Sequence, residues 1–340
     1  MKRLFFTLLL AAVLAETAAS AVTRYVKQDG TTAAANAAAA TSWAAACSDL
    51  QAVIEASSPG DEVWVAAGTY KPNRSAKAPG AIGSSTDRWN TFVMRPGVKV
   101  YGGFNSTNPE NAVSARKTYR NAQGVQQMTH KTILSGDINN LSKLDNKDAY
   151  HVVLAVGNLV SGGDTARLDG FVVTGGFADG GGGSDNTITL NGASAEIHHG
   201  SGGGIYAKGS GLQLAYDSVA GCWASLRGGG LYAEGETGGC VHVVVCGNTT
   251  NNSGGGVYVK GGALSATNLL VSGNTTNNYG GGMFVEGGAL SATNLHVSGN
   301  TSTNSNSNIN EGNTGGGGVY ITGGGALSAT NLLVSGNIAS

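Results

Sequence analysis

Gly254–Tyr279 reads GGGVYVKGGALSATNLLVSGNTTNNY, and from Gly280 the chain nearly repeats it as GGGMFVEGGALSATNLHVSGN. The residue after each glycine triplet, Ile205, Leu231, Val257 and Met283, recurs every 26 positions, and Val319 follows after 36 because NSNSNINEGN is inserted. Asn248, Asn274 and Asn300 close a [CS]GN triplet at the same spacing, and Asn337 repeats it after the longer turn. Self-similarity at such a period marks stacked units, each too small to bury a core alone.

Each unit holds two short β-type runs, GVYVKG and ALSATNLLVSG, separated by glycine and asparagine and free of helical periodicity. The pattern predicts an all-β coil in which each strand pairs in parallel with its counterpart one unit away, about 4.8 Å distant, so that like side chains form ladders. Glycine suits corners where φ is positive, and asparagine can donate and accept along a stack.

Alternate strand residues face opposite ways. Ile205 and Ala207, Leu231 and Ala233, Val257 and Val259, Met283 and Val285, and Val319 and Ile321 are therefore expected to line the core. The other parity carries Tyr206, Tyr232, Tyr258, Phe284 and Tyr320 beside Lys208, Glu234, Lys260, Glu286 and Thr322. Burying charges is far costlier than exposing them, so the aromatic column is expected to face outward with the charged one. A flat strip of rings can stack on sugars or on another protein, which makes those five aromatics the candidate ligand-binding residues. The alternative is that they stack on one another, or lie under a loop such as 301–314. Alternating charges along the other column predict a weakly attractive ladder that fixes register.

Upstream, CSDLQAVIEASSPGDEVWVAAGTY reads as a short amphipathic helix over 48–56, capped by Ser48 or Asp49 with Leu50, Val53 and Ile54 on one face. A turn at Pro59-Gly60 and a strand from Glu62 to Ala66 follow. Such a helix can cover the open first turn of a coil. VKVYGGF, TILSGD, YHVVLAV and LDGFVVTGG are further strand candidates, separated by polar insertions near 71–95 and 105–131.

Taken in order, RYVKQDGT, DLQAVIEASSPGDEVWVAAGTY, GVKVYGGF, TILSGD, LDGFVVTGG and GGGIY resemble the exported bacterial right-handed parallel β-helix proteins of the pectin-lyase-like superfamily. GGAL at 261, 287 and 324 is similar to the GGA[ILV] repeat of polymorphic outer-membrane proteins. The resemblance implies a single-stranded right-handed parallel β-helix with a short N-terminal capping helix, in a superfamily of lyases, hydrolases and adhesins. The chain then divides into a signal peptide (1–21), a cap region (22–60), irregular first turns (61–200) and regular repeats (201–340).

The signal peptide is read from Lys2 and Arg3, the apolar run Leu4–Leu14 and the small-residue site Ala19-Ser20-Ala21. That run is too short to span a bilayer, so the mature chain is expected to be secreted, extracellular or at the cell surface and not integral to the membrane. Without the segment 18 basic and 20 acidic residues remain, a balance that excludes the basic face nucleic acid requires. With 56 glycines and 12% charged residues the composition borders on low complexity, but 41% hydrophobic content suffices for a core. Cys240 and Cys246 flank an extended run and lie too far apart to pair, whereas a Cys222–Cys246 bridge is conceivable against buried, inert thiols. The closing LLVSGNIAS ends a turn with no polar cap, which predicts an open edge for end-to-end pairing or for continuation in a longer protein.

No catalytic residue is legible. Lyases of the resembling fold imply several acids on adjacent turns holding calcium, with an Arg or Lys as base. The regular repeats offer no such column. The least regular region is where a cleft would lie, and it holds Asp164, Asp169, Asp179, Asp185, Glu196, His198, His199, Lys208, Asp217 and Arg227. His198 and His199 read as exposed loop residues, not ligands, and GGGGSDNTI matches a calcium nonapeptide only superficially, so no cofactor or metal is expected. The leading expectation is an adhesin-like scaffold binding glycan or protein along its side. The alternatives are a polysaccharide lyase or hydrolase, and a structural surface protein.

Overall fold

The computed structural model describes residues 20–157, 165–181, 185–303 and 315–340. Nearly all of the stretch 1–21, read above as a signal peptide, Asp164, part of GGGGSDNTI and 304–314 lie outside the described residues. The chain is almost all β, with few helices and mostly parallel sheets.

One repeat unit explains the pattern. Val257–Lys260 lies in a seven-stranded sheet, Ala263–Ser272 in a fourteen-stranded sheet and Thr275–Thr276 in a six-stranded sheet. In each, the neighbours are the same positions one unit away: Val257 sits opposite Leu231 and Met283, Ser265 opposite Gly239 and Ser291, Thr275 opposite Thr249 and Thr301. The third strand is absent from the sequence reading, because two threonines show no periodicity. The long middle strand bends at Asn268, Asn294 and Asn331, each with φ 56°.

Buried amides lock the turns together. Asn274 donates through Nδ2 to the Val245 carbonyl (2.9 Å) and to Asn300 Oδ1 (3.0 Å), while its own Oδ1 accepts from the backbone N–H (3.0 Å) and Nδ2 (3.1 Å) of Asn248. The column continues from Asn300 to Asn337 with the same bonds, although 37 residues separate them. Cys222 takes the equivalent place one unit before Asn248, and its N–H donates to Asn248 Oδ1 at 3.0 Å. The glycine triplets stand beside this ladder for two reasons. Gly254 has φ 69°, and a Cβ on Gly256 would fall 2.7 Å from Asn274 Nδ2 and 2.8 Å from the Gly282 carbonyl oxygen.

The predicted inward column is the core over its first four turns: Ile205, Leu231, Val257 and Met283, with Ala207, Ala233, Val259 and Val285, are all buried. The fifth pair departs from expectation. Val319 is half-buried and Ile321 is 42% exposed, because no following turn covers them among the described residues. At the other end the helix Leu50–Glu55 (α1) is capped by Asp49, whose side chain accepts from the Ala52 N–H at 2.9 Å. Leu50, Val53 and Ile54 join the same core beside Val26, Val63 and Val65.

The aromatic column overturns the expectation of an exposed strip. Tyr206 and Tyr232 are 0% exposed, Tyr258 and Phe284 are buried, and Tyr320 is half-buried. Successive rings stack with centroids 5.0, 5.6, 4.9 and 5.2 Å apart. Their parity is as predicted, since they form a second apolar cluster separate from the main core. What the sequence reading lacked is the cover, an antiparallel hairpin of Asp185–Leu190 and Ala193–His198 that contributes Ile188, Leu190 and Ile197 to that cluster, beside Trp89 and Ala76. The inference from the charged column failed because Lys208 and Lys260 close their strands and stay partly exposed, whereas the rings two positions earlier are buried.

The charged ladder itself is present. Glu234 meets Lys208 at 3.4 Å and Lys260 at 3.3 Å, and Tyr232 donates its hydroxyl to Glu234 Oε2 at 2.9 Å. Burial pushes the Glu234 carboxyl up, but the Tyr232 hydroxyl and the two ammonium groups outweigh it and hold the group below its usual value. Tyr232→Phe keeps the stack and removes the bond to the carboxylate. The variant should lose about 1.5–3 kcal/mol in urea denaturation, as expected for a hydrogen bond to a charged acceptor.

Candidate functional site

The acidic residues of the irregular region are bound into the scaffold. Asp169 is buried and accepts from Arg116 at 2.9 Å and from Arg167 at 2.7 and 2.9 Å. Asp217, also buried, accepts the N–H groups of Phe171 (2.8 Å) and Ala215 (3.1 Å), and burial raises its carboxyl well above the usual range despite those bonds. Asp179 pairs with Arg88 at 2.7 Å, and the buried Glu236 accepts from Ser210 N–H (2.6 Å), Ser210 Oγ (2.9 Å) and Leu212 N–H (3.2 Å). The bonds of Asp217 to Phe171 and of Glu236 to Ser210 and Leu212 join one turn to the next, whereas Asp169 and Asp179 pair with arginines.

The remaining candidates serve the aromatic layer. Glu196 offers its backbone carbonyl to the Tyr206 hydroxyl and to Lys208 Nζ. Arg227 lies 5.5 Å from the Tyr258 ring centre, and Asp185 begins the covering hairpin opposite His198. The two histidines are not exposed loop residues: both are half-buried, with His199 packed on Tyr150 (4.8 Å) and Trp89 (5.5 Å) and His198 edge-on to Tyr232 (6.5 Å). Among the described residues no three His, Cys, Asp or Glu side chains are placed to hold a metal ion. All four cysteines are free, and burial pushes the Cys222 and Cys240 thiols up to about 12.

Two of the concave features outside the repeats gather polar and charged groups. The larger, of about 350 Å³, opens between α1, the insertion around 71–95 and the tip of the covering hairpin. Asn191 at that tip donates to the Met94 carbonyl at 2.9 Å, and Gln51 on the helix accepts the Val93 N–H at 2.9 Å, so three segments distant in sequence meet in one wall. Arg74 is buried there between Asp49 (3.2 Å) and Glu55 (3.5 Å), and it also donates to the Gly80 carbonyl at 2.7 Å. Its Nε is buried without a partner. Arg95 donates from Nη1 to the backbone carbonyl of Glu55. No sequence motif marks this site, because it exists only once the two insertions fold back on the helix.

The second concavity, of about 260 Å³, is bordered by Ser135, Asp137, Lys143, Asp148 and Thr174. Asp148 is fully buried, with Oδ2 accepting the Asp145 N–H at 2.9 Å and Oδ1 unpartnered. Burial, with repulsion from Asp145 and Asp137, pushes its carboxyl up to about 6. Nearby, burial pushes the imidazole of His151 down to about 4, with Nδ1 3.0 Å from the Gly202 carbonyl oxygen.

The two groups oppose one another on acidification. His151 contributes stability that is complete above its ordinary value of 6.5 and is lost as pH falls toward about 4. Asp148 contributes stability that is complete below 3.8 and is lost as pH rises through about 6. Asp148→Asn mimics the protonated acid and removes only the second effect. It should be about 2–3 kcal/mol more stable than the parent at pH 7 and should converge on it near pH 4. Thermal melts across that range will therefore fall more steeply with acid for the variant.

Comparison of the chain with family models, with curated proteins and with solved structures finds no match.

Proposed function

We propose that the chain is an exported right-handed parallel β-helix of the pectin-lyase-like kind, acting at the cell surface as a non-catalytic, adhesin-like scaffold that binds glycan or protein. The observation that carries this reading is that Asp169, Asp217 and Glu236 are buried and hydrogen-bonded to groups of the scaffold itself. A lyase or hydrolase would need its acids open to substrate. The in-register parallel units support the solenoid part of the reading. With Tyr206 and Tyr232 buried beside the hairpin, contact with a partner shifts from the repeat face to the irregular part of the chain.

Incubation with polygalacturonate and other acidic polysaccharides, with and without calcium, tests the proposal through absorbance of unsaturated products and release of reducing ends. No turnover together with saturable binding to a glycan or surface-protein array is the expected outcome. Calcium-dependent product formation would replace the scaffold with the enzyme.

A further inference from the structure

Arg95 is the under-used cation of the cleft beside α1. The charge of Arg74 is already matched by Asp49 at 3.2 Å and Glu55 at 3.5 Å. Arg95 is half-exposed, has no carboxylate within ion-pair reach among the described residues, and spends one donor on the Glu55 carbonyl. A guanidinium carries five N–H donors in a fork that fits a carboxylate edge-on. In the same lining the buried Nε of Arg74 lacks an acceptor.

The rest of the wall is of a different character. Pro79, Val93 and Leu190 supply apolar surface. Of the polar side chains, Gln51 holds the Val93 backbone and Asn191 the Met94 carbonyl, both at 2.9 Å, and the Glu55 carboxylate faces Arg74 at 3.5 Å, which leaves Ser75 as the hydroxyl of the lining. A polyhydroxylated ligand would find few free partners there, and its buried hydroxyls would go unpaired. A volume near 350 Å³ lies within the range of small-molecule sites.

We propose that this cleft binds a small organic acid with an apolar body, its carboxylate gripped by Arg95 and its hydrocarbon portion laid against Val93 and Leu190. The assignment deepens the reading of the chain as a binding protein by naming a ligand chemistry, and places it where the helix, the insertion and the hairpin tip converge. The acid could be an acyl chain or the C-terminus of a peptide, since both present a carboxylate on an apolar stem.

Calorimetric titration of the full chain with hexanoate, N-acetyl-leucine, hexanamide and glucuronate tests the proposal. At least one of the first two should bind with Kd of about 1 mM or tighter, and the tighter of them identifies the source as acyl or peptide. Hexanamide and glucuronate should each bind at least about tenfold more weakly than that acid. Arg95→Gln should reduce acid binding by about tenfold or more, with Arg95→Lys intermediate because a point charge lacks the fork. Equal affinity for hexanamide, equal affinity for glucuronate, an unchanged Arg95→Gln, or no saturable binding of either acid would each overturn the assignment. The acid and amide comparison needs no variant, so a folding defect cannot obscure it. Turnover of polysaccharide would displace the scaffold reading and leave these binding results standing, whereas loss of the acid preference would do the reverse.

Discussion

Asn274→Ala should unfold at markedly lower denaturant, with a loss of about 3–5 kcal/mol. The side chain is fully buried and makes four hydrogen bonds at 2.9 to 3.1 Å. Truncation leaves the Asn248 backbone N–H without its acceptor and removes bonds from the Asn248 amide, the Val245 carbonyl and Asn300 Oδ1. Each unmet buried group costs about 1–3 kcal/mol, and coupled groups need not add linearly. Asn277, on the outside of the same turn, meets Asn251 Oδ1 at 3.3 Å. Asn277→Ala is the control and should stay within about 0.5 kcal/mol of the parent. Equal effects of the two substitutions in urea titration would remove the buried ladder as the source of cohesion between units.

Gly255→Ala is the second large effect, expected to cost about 3 kcal/mol or more. A Cβ there would lie 2.4 Å from the Gly281 carbonyl oxygen and 2.5 Å from that of Thr275. Both obstacles are backbone in a paired turn, so neither can swing aside, and the turns must separate locally. Gly273 offers the contrast: its φ is 62° and a methyl group added there would meet nothing within 4 Å, so Gly273→Ala faces only the left-handed strain of about 1–2 kcal/mol. Hydrogen exchange resolves the difference. In the first variant the amides of Gly255 and Gly256, which donate to Gly280 and Gly282 at 3.1 Å, should lose protection, while in the second they should keep it.

The contrast shows which parts of the fold were legible. Period, parallel register, inward parity and a short helix capped by Ser48 or Asp49 could all be read, because each is a local or periodic property; the structure makes the cap Asp49. The Thr275–Thr276 strand could not, since two residues carry no pattern. Burial of Tyr206 and Tyr232 was hidden for another reason: parity reports which side of a strand a residue takes, and says nothing of whether a distant segment lies over that side. The cover comes from Asp185–His198, a non-repeating hairpin whose partner surface is set by tertiary contact. The cleft at Arg95 was illegible on the same ground, because residues 51, 74, 95 and 191 become neighbours only through two insertions. At Asp169 and Asp217 the sequence supplied acids in an irregular stretch, but their partners, Arg116 and the Phe171 N–H, decide between catalysis and architecture, and neither stands out in one dimension.

The step from Asn300 to Asn337 spans 37 residues and preserves the contacts made elsewhere over 26. Cohesion therefore resides in what touches at the seam and is indifferent to the contour length of the connection, whose closure entropy grows only logarithmically. The segment between Thr303 and Gly315 is thus a natural splice point, where selection or an engineer can graft foreign peptides without renegotiating the stack on either side.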